Sequence, residues 1–169
     1  MEIQSVGLED CEDAAIINYS NMVYRLAFSY TRSKHDTEDI YQEVFLRYVR
    51  CNPEFENEEH RKAWLIRVTI NCCKKLWASS WKRKVVPLED TISFDMPEDT
   101  ILYDELKKLP PKYRMVIHLF YYEDFSIEQI SNTLGIKQST IRTQLTRARN
   151  ILKENLKGDF SWITTAIKE

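Results

Sequence analysis

Residues 125–145 read FSIEQISNTLGIKQSTIRTQL, and this stretch constrains the fold more than any other. Ser126 followed by Gln129 is a capping box: the hydroxyl serves the third helical amide, and the glutamine side chain returns to the cap amide. Phe125 and Ile130 sit at the hydrophobic-staple positions around it. The pattern predicts a short helix from Ile127 to about Leu134, with Gly135 making a tight turn. A second helix is predicted from near Gln138 to about Leu156, with Gly158 as its cap. Helix, glycine turn and helix is the arrangement that sets a second helix into the DNA major groove.

On that second helix Ile141, Leu145, Ala148 and Leu152 share an inward face. Gln138, Ser139, Arg142, Thr143, Thr146, Arg147 and Arg149 fall on outer or flanking arcs. Arginine and glutamine pair in bidentate fashion with guanine and adenine edges, while serine, threonine and lysine suit phosphates. A merely solvated helix also carries arginine and lysine outside, so charge alone does not decide. The capped partner helix, the glycine turn and the short polar residues at the helix start favour a DNA reader.

A formal charge of -2 over 169 residues looks wrong for a protein that holds a polyanion. The charge is segregated. Residues 61–84 contain Arg61, Lys62, Arg67, Lys74, Lys75, Lys82, Arg83 and Lys84 and no acid; residues 137–157 contain six cations against Glu154. The acids gather at the N-terminus, over Asp36–Glu59 and over Glu89–Glu105. Screening limits each exposed charge to about 8–10 Å, so basic islands can act locally on an acidic protein.

The rest reads as helix. Ile16, Ile17, Val23, Leu26, Ala27 and Tyr30 recur at helical spacing from about Asp10 to Arg32. SKHDTED interrupts, and a second helix is expected from about Thr37 to Cys51, with Ile40, Val44, Phe45 and Tyr48 inward and Asp39, Glu43 and Arg47 on another arc. Asn52-Pro53 stops it. A third helix is expected from Glu59 to about Ser79, its stripe being Trp64, Val68, Cys72 and Leu76. Residues 85–99, VVPLEDTISFDMPED, carry two prolines, five acids and no base, and read as a flexible acidic linker reaching about 50 Å if fully extended. A short helix over Tyr103–Leu109 follows, and Pro110-Pro111 opens another whose inner face is Met115, Leu119 and Tyr122. The expected fold class is all-α: two small helical domains, 10–84 and 100–158, with a tail over 159–169 of no derivable role.

Several classes are excluded or disfavoured. No apolar run reaches membrane-spanning length and the acidic N-terminus lacks a signal organisation, so the expectation is a cytoplasmic protein without membrane insertion. Cys11, Cys51, Cys72 and Cys73 match no zinc spacing; buried free thiols are expected rather than a redox pair. No glycine-rich phosphate loop, G-x-S-x-G or H-E-x-x-H occurs, so neither an enzyme nor a cofactor is expected. DTEDIYQEVF could simply complement a helix dipole, but its acids also suit a protein-docking face. In LWASSWKRK, Trp77 and Trp81 beside three bases either stack unpaired DNA bases or pack on the core.

Four segments in this order, DTEDIYQEVFLRYV, RKAWLIRVTINCCKKL, LKKLPPKYRMVIHLFYYEDFSIEQIS and LGIKQSTIRTQLTRARNIL, resemble the bacterial extracytoplasmic-function sigma factors of the sigma-70 family over about residues 15–157. The resemblance implies a role for each island. Asp39, Gln42 and Glu43 match the family's D-x-x-Q-E positions, which dock on the RNA polymerase β′ clamp. Asn71, Lys74, Lys75, Trp77, Ser79, Ser80, Lys82, Arg83 and Lys84 fall where the family melts the promoter −10 element and holds an unstacked base. Gln138, Ser139, Arg142, Thr143, Thr146 and Arg147 fall where it reads the −35 element as duplex. The implied partners are the core polymerase (β′ clamp and β subunits), promoter DNA and a membrane-anchored anti-sigma factor; the linker would thread the RNA exit channel. Lys137 stands where relatives often carry a Ser or Thr cap, and Lys75 where some carry Asn. Two rival readings remain at this level: a sigma-like decoy that binds only an anti-sigma protein, and a helix-turn-helix regulator that never docks on polymerase.

Overall fold

The computed structural model describes residues 6–80 and 100–156, with side chains for 14–79 and 104–156. Every regular element among them is helical: α1 (Val6–Thr31), α2 (Lys34–Cys51), α3 (Glu58–Ser80), α4 (Thr100–Lys108), α5 (Pro111–Ile117), a π-helical turn (His118–Tyr122), α6 (Ile127–Leu134) and α7 (Gln138–Asn155). The helices sort into two compact units, α1–α3 and α4–α7. The linker 85–99, the tail 159–169, Gly158, Trp81 and Lys82–Lys84 lie outside the described residues.

In the first unit the three helices bury one another's stripes. Val23 and Ala27 of α1 pack in one cluster with Ile40, Val44, Phe45 and Tyr48 of α2, all of them buried, and Leu26 is buried as well. Ile17 departs from the sequence reading: it is 73% exposed, because the inward arc of α1 runs through Ala15 and Val23 on its other side. The expected stripe of α3 is also rotated. Leu65, Ile66, Thr69, Ile70, Cys72 and Cys73 are the buried positions, so of the expected stripe Cys72 is buried whereas Trp64, Val68 and Leu76 line the margin. Thr69 is tolerated inside because its hydroxyl donates to the Leu65 carbonyl at 2.7 Å.

SKHDTED does not interrupt for as long as expected. Ser33 caps α2 by accepting from the Asp36 amide at 3.3 Å, so the helix starts at Lys34. At its far end Asn52 takes φ 38, ψ 59, a left-handed conformation asparagine tolerates, directly before Pro53. Phe55 then folds back onto Tyr48, ring centroids 6.2 Å apart and nearly parallel, and onto Trp64 at 5.9 Å. Tyr19 of α1 donates to Glu58 Oε2 at 2.8 Å, tying α1 to the start of α3. Burial and that carboxylate push the Tyr19 hydroxyl up to about 12.

In the second unit Leu109, Met115, Val116, Leu119, Ile130, Leu134, Ile141, Leu145, Ala148 and Leu152 form the interior. Arg114 is buried, yet its guanidinium donates to the carbonyls of Lys107 (3.0 Å) and Leu109 (2.6 Å), closing the end of α4. The sequence reading placed Tyr122 inward; it is 44% exposed. The cause is the π turn, in which the Glu123 amide bonds the His118 carbonyl at 3.2 Å, five residues back. The wider turn breaks the register in which residues 115, 119 and 122 would share one face.

Among the described side chains, which leave out Cys11, the cysteines divide by burial. Cys72 and Cys73 are buried free thiols and Cys51 is an exposed one, so the expectation of burial holds for two of them. Burial raises the Cys72 thiol, and burial with Cys72 alongside pushes Cys73 up to about 12. A raised pKa leaves less thiolate at about pH 8, where an exposed thiol reacts. Iodoacetamide should therefore modify Cys51 and spare Cys72 and Cys73 in the native protein, read by mass spectrometry. Equal labelling of all three before unfolding contradicts the packing.

Candidate nucleic-acid interface

The capping box predicted at Ser126 is present in both halves: Gln129 N donates to Ser126 Oγ at 3.1 Å, and Ser126 N donates to Gln129 Oε1 at 2.8 Å. Phe125 and Ile130 flank it, both buried. α6 ends on Gly135 at φ 68, ψ 35. Nothing lies within 4 Å of where a Cβ would stand on Gly135, so the left-handed backbone, not crowding, selects glycine. The turn is braced by Ser131, whose hydroxyl donates to the Ile136 carbonyl at 2.5 Å. Lys137 occupies the cap of α7 without a side-chain cap bond, as its side-chain chemistry requires.

α7 then presents its polar residues as the sequence reading expects. Ile141, Leu145, Ala148 and Leu152 are buried, and Gln138, Ser139, Arg142, Thr143, Thr146 and Arg147 are all exposed. Arg142 Nη2 lies 3.4 Å from Gln138 Oε1, which joins two long exposed side chains of the first turns. The hydroxyls of Thr143 and Thr146 donate to the carbonyls four residues back, at 2.9 Å each. Their methyl groups and remaining lone pairs are what they offer outward.

Arg149 differs from its neighbours. Its Nε donates to the Tyr121 hydroxyl at 2.8 Å, and its guanidinium lies 5.6 Å from the centroids of both Phe120 and Tyr121. No short-range sequence signal links positions 28 apart.

Along α3, Arg67, Asn71, Lys74, Lys75, Trp77 and Ser79 are exposed, and Ser80 is its last residue. Trp77 does not choose between the two readings given above: it is 48% exposed, while Tyr30 of α1 meets it edge-to-face at 6.1 Å. Arg61 leaves the basic island, since it pairs with Glu58 and lies over the Phe55 ring.

On α2, Asp39 and Gln42 are exposed and Glu43 is half-buried, accepting from Arg47 Nε at 2.6 Å. That bond raises the Arg47 pKa. Leu46 (43%) and Val49 (46%) are exposed on the same side, at steps of three and four residues from Asp39 and Gln42. Sequence reading missed this pair, although Val44, Phe45 and Leu46 in succession could not all face inward. No group of His, Cys, Asp or Glu that could hold a metal ion occurs among the described residues, and none of their helices is long and apolar enough to cross a membrane.

A helical unit with an exposed, basic second helix after a glycine turn, and a separate helical unit with its own acidic and basic surfaces, match the class of helix-turn-helix DNA-binding proteins. Comparison with known proteins specifies it. Residues 16–83 match the Sigma-70 region 2 family, and residues 99–152 match Sigma-70, region 4. The chain is 30% identical over 153 residues to RNA polymerase sigma factor SigV of Bacillus subtilis (strain 168), covering 86% of this chain and 92% of that one. It is 29% identical over 160 residues to ECF RNA polymerase sigma factor SigW of the same organism, covering 82% and 85%. Its fold resembles the sigma factor RpoE of Bartonella quintana, solved in complex with the anti-sigma factor NepR, with a TM-score of 0.69, 22% identity and coverage of 87% and 97%. The chain belongs to the sigma-70 family, in its extracytoplasmic-function branch, and is a promoter-recognising sigma factor. That family is not an enzyme class.

The turn geometry yields a direct test. Gly135→Ala should cost about 1 kcal/mol or more of stability, because alanine pays for the left-handed backbone without gaining a contact. Gly135→Asn should cost less. Denaturant titration gives both values; an alanine variant as stable as the parent contradicts the account.

Proposed function

We propose a division of labour among the surfaces. Residues 10–84 dock on core polymerase and open the −10 element, 85–99 link, and 100–158 read the −35 element. The observation that carries this reading is the exposure of Gln138, Ser139, Arg142, Thr143, Thr146 and Arg147 as one polar arc over a fully buried apolar face. Arg142 and Gln138 supply donors for guanine and adenine edges in the major groove. Arg147 offers charge to the backbone, and the outward methyls of Thr143 and Thr146 suit thymine methyl groups.

Docking on the β′ clamp falls to Asp39, Gln42 and Glu43 of α2. Two features support a protein partner there: carboxylates repel phosphate, and Leu46 and Val49 extend the same stripe with exposed apolar area. At the −10 element, Asn71, Lys74 and Lys75 are exposed on the same helix as Trp77, whose exposed surface can stack on an unpaired base while Tyr30 holds its edge. Stacking of that kind contributes about 1–3 kcal/mol, against an unstacking cost of a few kcal/mol. Ser79, Ser80, Lys82, Arg83 and Lys84 complete this proposed surface.

The protein acts by binding, without a catalytic step of its own, in the cytoplasm. Control by an anti-sigma factor is supported by the resemblance to RpoE, which was solved with one; we propose a membrane-anchored protein in that role here.

In vitro transcription from a genomic library, with core polymerase and this chain, should give promoter-specific transcripts; their absence removes the reading. Arg142→Ala should lower −35-dependent initiation by about 5- to 150-fold, matching 1–3 kcal/mol for one bidentate contact, with core affinity unchanged. Equal loss of core affinity would contradict the division. Glu43→Lys should abolish co-purification with core polymerase while preserving the fold, since a second cation one helical turn before Arg47 costs only a few tenths of a kcal/mol. Normal co-purification counts against the docking role.

A further inference from the structure

We infer that Arg149 is a positioning residue, which fixes the angle of the reading helix through the π turn and makes no base or phosphate contact. The inference rests on the −35 reading of α7 proposed above. By spacing, Arg149 belongs with the readers: seven residues from Arg142, it lies on nearly the same side of the helix, about 10 Å further along the axis. The structure turns it back. Its Nε donates to Tyr121 at 2.8 Å, and its plane is shared between the rings of Phe120 and Tyr121. Arg142 and Arg147, by contrast, stand exposed.

The partner explains why a π turn is used. Phe120 and Tyr121 are both inside His118–Tyr122, where the five-residue hydrogen bond displaces the chain outward. Tyr121 is thereby left 38% exposed and within reach of α7. The apolar stripe of α7 fixes its rotation, but ridge-and-groove packing leaves its crossing angle a latitude of about 15–20°. A planar donor held by one hydrogen bond and two ring faces constrains the direction of the helix as well. A reading helix must place several side chains on base edges at once, so a small change of tilt reduces all those contacts together.

Lysine at 149 retains the charge but lacks both the Nε donor and the planar face. Tyr121→Phe removes the acceptor and leaves the charge of Arg149 untouched. Both are mild changes at opposite ends of one contact. Holoenzyme is assembled from core polymerase and full-length chain, and binding is measured on a promoter it transcribes, with the −35 element intact or scrambled. Arg149→Lys and Tyr121→Phe should each lower the intact-to-scrambled discrimination, by on the order of 3- to 10-fold for the lysine. The double variant should be no worse than the lysine variant. The slope of log affinity against log salt should match the parent in Arg149→Gln, because no phosphate contact is lost. Parent-like discrimination by Arg149→Lys overturns the inference, and a slope lowered by about 0.9 in Arg149→Gln overturns it by identifying a phosphate ligand. Parent holoenzyme that ignores the −35 sequence is a separate failure, of the α7 reading itself.

Discussion

Ile141, Leu145, Ala148 and Leu152 are buried in the interior of the second unit, and that burial decides which side chains of α7 face outward. Each large apolar side chain contributes about 1.5–3 kcal/mol when buried, against a few tenths for an exposed pair four residues apart. Rotating α7 by one residue would bring Arg142, Thr146, Arg149 and Lys153 inward in place of Ile141, Leu145, Ala148 and Leu152, so the polar arc is held by the core beneath it. The turn before it works in the same sense: Gly135 and the Ser126–Gln129 box set where α6 stops and α7 begins. Which side chains face outward is thus a consequence of packing on the inside.

The first unit solves a different problem, keeping opposite charges apart on three helices. The apolar face of α2 is buried, leaving its carboxylates and two exposed aliphatic residues on one side, while α3 exposes its cations toward its C-terminal end. Several ion pairs trim this pattern. Arg61 is neutralised by Glu58, and Arg47 by Glu43, so the active charge is narrower than a count of lysines and arginines suggests. Screening over about 8–10 Å then lets each surface keep its own sign despite a net charge near zero.

Local signals were legible in the sequence, and long-range ones were not. The capping box, the glycine turn, both faces of α7 and the inner stripe of α2 follow from spacing of four residues or fewer, and the structure shows each of them. Ser33 was equally local, but a polar run read as a break concealed a cap. The rotated stripe of α3 and the exposure of Ile17 depend on which neighbour each helix meets, which a single helix cannot report. The π turn and the Tyr121–Arg149 contact depend on a change of helical register and a separation of 28 residues. Trp77 is open between two roles in the sequence, and its geometry fits either: one edge lies against Tyr30 and nearly half its surface is exposed.

Crosslinking from inside the assembled complex tests the central claim most directly. A photoreactive residue at position 142, in holoenzyme bound to promoter DNA, should crosslink to one duplex element upstream of the melted region, and the same residue at the buried position 152 should not. Crosslinks from position 142 to polymerase subunits, or to no DNA at all, would contradict the assignment of α7 as the promoter-reading helix.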